Sequence, residues 1–150
     1  MGYDFMLMRL RSGVGFEPPG IPDDLVEEDV VALTDPAPLL DAVQASDLFV
    51  PGSLTGRPSG FRWRTPDGGM LDVDARSTYI AIDTHAHWDF VAQVFDLVRG
   101  IWPETVLLDP QKGALHDPRS FREFVVRSYR DKAEWLARQA AGNAPKDVGG

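Results

Sequence analysis

Residues 61–100 read FRWRTPDGGM LDVDARSTYI AIDTHAHWDF VAQVFDLVRG, and this stretch decides the fold class. Phe61–Arg64 and Met70–Asp74 flank Thr65-Pro66-Asp67-Gly68-Gly69, a run of turn formers that predicts a β-hairpin. In Thr78–Asp83, Tyr79, Ala81 and Asp83 alternate with Thr78, Ile80 and Ile82, the two-residue period of a strand. From about Ala86 to Arg99 the period lengthens. Val91, Val94, Phe95 and Val98 fall at helical core spacing, Gly100 stands near the exit, and Thr84 is the expected cap.

Working outward, Tyr3–Leu10 (YDFMLMRL) is apolar on both alternating faces and predicts a central strand. Glycines and prolines mark Arg11–Pro22 and Ser53–Gly60 as loops. Between them Thr34-Asp35-Pro36 predicts a helix entry, with Leu39, Leu40 and Val43 as its apolar stripe. Downstream, Thr105–Leu108 predicts a strand, Ala114-Leu115 a shorter one, and Asp117-Pro118 the start of the last helix. Phe121, Phe124, Val125, Tyr129 and Leu136 are that helix's expected buried stripe, and Phe95 and Phe124 are expected to be fully buried. Trp63, Trp88, Trp102 and Trp135 are read as core. The order β-α-β-β-β-α-β-α predicts an α+β fold: a mixed, mostly antiparallel sheet with helices packed on one face, ferredoxin-like in outline. Residues 1–141 form the expected single domain and 142–150 a frayed tail.

A chain of 150 residues buries roughly 68–70% of its unfolded surface, enough for a core without staples. The absence of cysteine excludes thiolate catalysis, zinc ribbons and disulfides, and fits a cytoplasmic protein. Met1–Met6 lacks the basic start of a signal peptide, and no apolar run reaches the ~18 residues of a membrane span. Neither a membrane nor a nucleic acid is an expected partner, since the net charge of −8 opposes phosphate binding. That excess lies wholly in residues 1–50, where ten acids face only Arg9 and Arg11. Glu17, Asp23, Asp24, Glu27, Glu28, Asp29 and Asp35 are the candidate partner-binding residues, able to steer a basic protein.

Catalytic motifs are sparse. No Gly-x-Ser-x-Gly elbow, phosphate-binding glycine loop or dinucleotide fingerprint is present. Asp83-Thr84-His85-Ala86-His87 resembles the opening motif of metal-dependent amidohydrolases, which are (β/α)₈ barrels of typically about 250 residues. His85 and His87, with Asp89 or His116, are therefore the alternative: the ligand set of a small metal-dependent hydrolase. The preferred reading gives both histidines to the first turn of the helix and expects no metal or other cofactor. Asp109-Pro110-Gln111-Lys112-Gly113 reads as a turn, and Asp72 with Asp74 as one solvent face of a strand.

Tyr3–Leu10, Asp72–Thr84 and Val106–Pro118 (VLLDPQKGALHDP) together resemble small bacterial immunity-type proteins, the cytosolic inhibitors of polymorphic or type VI secretion toxins. The resemblance covers about a third of the chain and rests on an opening aromatic strand, a mid-chain hairpin and a late strand running into Asp-Pro-Gln. It implies a noncatalytic role in which the protein binds and neutralises a cognate protein toxin, basic at its contact surface.

Overall fold

The computed structural model describes residues 2–142. Its centre is β1 (Tyr3–Leu10), paired with a strand along each edge and apolar on both faces. One flank is a meander of four strands: β3 (Ser53–Arg57), β4 (Gly60–Arg64), β5 (Met70–Ala75) and β6 (Ile80–Thr84), with β6 against β1. The other flank is the hairpin of β7 (Thr105–Asp109) and β8 (Ala114–His116). The two-residue strand β2 (Val30–Val31) pairs the last residues of β1. All eight strands join one sheet, and every pairing is antiparallel.

Helices α1 (Ala37–Ala45), α2 (Trp88–Ile101) and α3 (Pro118–Gly142) pack on one face of this sheet. The α+β class and the one-sided helix layer are as the sequence predicts. Helix α2 carries the chain from β6 over β1 to β7, a split β-α-β unit. Between sheet and helices lie Phe5, Phe61, Trp63, Phe95 and Phe121, each at most 1% exposed. Burying an aromatic of that kind contributes about 1.5–3 kcal/mol.

A second, smaller apolar cluster lies on the opposite face. Met8, Leu10, Val106 and Leu115 are covered there by Val14, Phe16, Leu25 and Val30 from the connection between β1 and β2. The pleat separates the two clusters: Phe5 and Leu7 go to the helices, Met6, Met8 and Leu10 to the loop layer.

Several boundaries differ from expectation. Ser53–Gly60, read as a loop, contains β3, which pairs β4 through a Pro58-Ser59 turn although all five of its residues are exposed. Backbone pairing, not side-chain burial, makes that strand. Helix α2 starts at Trp88, and its cap is His87, whose Nδ1 accepts from Asp89 N at 3.1 Å. Thr84 is not the cap: its Oγ1 accepts from Ala86 N at 3.1 Å and tightens the preceding turn. Phe95 is fully buried, but Phe124 is only half-buried, stacked on Trp88 at the layer's margin. Trp63 is core, Trp88 and Trp102 are half-buried, and Trp135 and Leu136 are exposed. The apolar stripe of α3 continues in sequence beyond the body of the sheet, so its last members find nothing to pack on. Gly142 ends α3, and the rest of the expected tail, 143–150, lies outside the described residues.

Candidate functional site

On the face away from the helices, the loop layer covers only the part around Met8, Leu10, Val106 and Leu115. The rest of that face carries a row of side chains in cross-strand register: Asp4 opposite Asp83, Asp83 opposite Asp72, Asp72 opposite Arg62. Three carboxylates thus stand side by side on β1, β6 and β5. Like charges directly opposite are destabilising, and opposite charges favourable, by roughly 0.2–1 kcal/mol per pair. The compensation is uneven. Asp72 accepts from Arg62 Nε at 2.8 Å and lies 3.2 Å from Arg57 Nη2, whereas among the described residues Asp83 has only His85 Nε2, at 3.9 Å. In the next row Asp74 accepts from Ser59 Oγ at 2.5 Å and pairs Arg76 at 2.7 Å. Met6, Tyr79 and Ala81 stand among these charges, so the hollow of about 720 Å³ has apolar footing as well as an acidic rim.

Six of the seven acids singled out in the sequence lie in the loop layer on this same face. Asp23, Asp24, Glu27 and Glu28 are exposed, on a segment that Leu25 anchors to the smaller cluster. Asp29 is half-buried and accepts from Val26 N at 3.0 Å, capping the 3₁₀ turn Glu27–Asp29. Arg11 holds the segment through the Glu28 carbonyl. Glu17 is exposed beside Pro19, whose carbonyl accepts from Leu115 N. Asp35 is elsewhere: Leu33 before it packs in the main core, and its Oδ1 accepts from Ala37 N at 2.9 Å at the start of α1.

The histidines are held apart by their own contacts. His85 is exposed and faces Asp83. His87 stacks on Tyr129 with ring centroids 3.8 Å apart, and its Nδ1 serves the cap of α2 and lies 3.5 Å from Asp89. The hairpin turn braces this region. Asp67 accepts from His87 N and Gly69 N at 3.0 Å and from the Thr65 hydroxyl, and these bonds hold its carboxyl below the usual range although burial pushes the other way. Gly69 admits the close approach, since a Cβ there would meet Ala86 Cα at 2.5 Å. Among the described residues no group of three His, Asp or Glu is placed to hold a metal ion.

His116 is 1% exposed, between β8 and α3. Its Nδ1 lies 2.9 Å from Ser120 Oγ, and its Nε2 has no hydrogen-bond partner among the described residues. Burial pushes its pKa down, against Asp109 and Asp117 and with Arg127. Asp109, fully buried, accepts from Gln111 N and Lys112 N in its own turn, as the sequence reading expects. It also accepts from Tyr3 Oη at 2.9 Å; burial and that bond push the phenol far above its usual value. These groups tie the hairpin to β1 and α3.

The carboxylate row escapes sequence reading because it is a property of register. Alternation places Asp72 with Asp74, and Asp83 with Tyr79, on single faces. Which strands are neighbours is settled only by the fold. No family model, curated protein or solved structure matches the chain. No helix among the described residues is long and apolar enough to cross a membrane.

Proposed function

We propose that this chain is a noncatalytic immunity-type protein that binds and neutralises a cognate protein toxin in the cytoplasm. The toxin, basic at its contact surface, docks on the uncovered part of the sheet. The observation that carries the reading is the Asp4–Asp83–Asp72 row in a hollow footed by Met6, Tyr79 and Ala81. Apolar contact at the centre with acidic groups around it suits a basic protein surface. A Lys or Arg presented from outside relieves repulsion that the free protein carries. The acidic loop Asp23–Asp29 extends the same negative field and supplies long-range attraction.

The test starts with capture of the partner from the native host and proceeds to association kinetics at two ionic strengths. Two variants are compared with wild type: Asp4→Asn with Asp83→Asn, and Asp23, Asp24, Glu27 and Glu28 changed to amides. Both should slow association, by about tenfold or more for the loop variant, and flatten its dependence on salt. A captured partner whose on-rate ignores both variants and the salt overturns the reading.

A further inference from the structure

Among the described residues nothing covers the second half of α3. From Asp131 to Gly142 every residue is exposed, a projecting arm of twelve residues, about 18 Å long at 1.5 Å per residue. Trp135 and Leu136 stand on it 51% and 50% exposed. They lie seven residues beyond Ser128 and Tyr129, on the same side of the helix as the stripe that packs on the body. Directly under Ser128, Tyr129 and Lys132, the last at the root of the arm, is an open cleft of about 630 Å³, its other walls including Gly2, Tyr3, His85 and Trp88. An apolar-sided arm and an aromatic-walled cleft therefore sit at the same end of the molecule.

We infer that the occupant of the cleft is the α3 arm of a second copy of this chain, in a two-fold dimer that exchanges arms. Isologous symmetry lets each arm enter the other's cleft in one closed arrangement. Half the surface of an 18 Å arm and the matching cleft wall bury together about 700 Å². One such contact is no larger than the mostly sub-800 Å² contacts of crystal packing, whereas two reciprocal contacts reach about 1,400 Å², within the range of stable complexes. The reciprocal arrangement is what makes the surface sufficient, and it favours a second copy over an unrelated helix. Charge agrees. Asp131, Lys132, Glu134 and Arg138 sum to zero on the arm of a chain whose net charge is −8. The contact meets the acidic open face at His85, which faces Asp83, but the cleft is lined by none of the acidic residues proposed to bind the toxin, so the dimer does not depend on that proposal.

Sedimentation equilibrium of the full chain at micromolar concentrations tests the inference. Wild type should be a dimer, and both Trp135→Glu with Leu136→Glu (arm) and Ser128→Arg (cleft) should be monomers with the wild-type circular dichroism of a folded body. Because the arm residues are exposed, the arm variant should lose only the contribution of the dimer, so its melting temperature should be independent of protein concentration while that of wild type rises with it. Mixed together, the two variants retain one intact arm-to-cleft contact and should associate weakly where neither does alone. A monomeric wild type, or a dimer that survives both sets of substitutions, overturns the proposal. So does a monomer whose arm variant loses binding to the toxin, which would give the cleft to that partner instead.

Discussion

Two rows of side chains one residue apart on the same strands have opposite characters. Phe5, Ile82, Val73 and Phe61 follow each other across β1, β6, β5 and β4 and are all buried under the helices. Asp4, Asp83, Asp72 and Arg62 follow the same ladder on the other side and remain accessible. The first row lowers the free energy of the fold, while in the second Asp83, set between Asp4 and Asp72, raises it. The pleat thus assigns cohesion to one face and leaves the other free for recognition, without either interfering with the other's packing.

The contrast is broken most forcefully at Phe5. Truncation of this fully buried ring to Ala should cost about 3–5 kcal/mol in a urea melt, while Asp4→Asn next to it should change stability by less than about 1 kcal/mol. Phe95→Ala belongs with Phe5, but Phe124→Ala should cost less than either, because its ring is already half in water. Equal losses at Phe5 and Asp4 would mean that the two faces are not divided as described.

A smaller effect sharpens the description of the helix side. His116 is buried with Nε2 unpartnered, and its folded pKa lies below the unfolded value of about 6.5. Below that value the unfolded chain binds the proton that the folded one resists, so stability falls as pH drops. Asp67, and Glu104, which accepts from Arg9 Nε at 2.6 Å, are held below their usual values and add a loss at lower pH, as protonation removes the bonds that favour their charged forms. Urea melts from pH 7.5 down to 5 should show the histidine's part, and His116→Phe should remove it. An unchanged pH profile in that variant would show that His116 carries no such strain.

Much of the architecture is legible because periodicity is a local property. The hairpin at Thr65–Gly69, the β6 alternation and the Val91–Val98 stripe all report which side of an element is dry. Periodicity does not report where the neighbouring element stops. The stripe of α3 therefore promised burial for Leu136, which lies beyond the body, and β3 was invisible because Leu54 is its only large apolar residue. The negative charge of the first third was legible as composition, but its placement was not. Glu17 and the Asp23–Asp29 segment fold onto the same face as Asp4 and Asp83, whereas Asp35 crosses to the helix side. Asp109 shows the same limit: its turn bonds are local, yet its bond from Tyr3 spans 106 residues of sequence.

The division of labour between the faces is tested most directly by one urea melt of Asp83→Asn beside wild type, at pH 8 and low salt. The substitution removes the repulsion of Asp83 from Asp4 and Asp72, and with it only the 3.9 Å contact to His85 Nε2. The variant should be more stable than wild type, by about 0.2–1 kcal/mol for each carboxylate neighbour relieved. The m-value should not change, and the gain should shrink as salt screens the row. A variant less stable than wild type, or a gain indifferent to salt, would contradict the claim that this row is held against the interest of the fold.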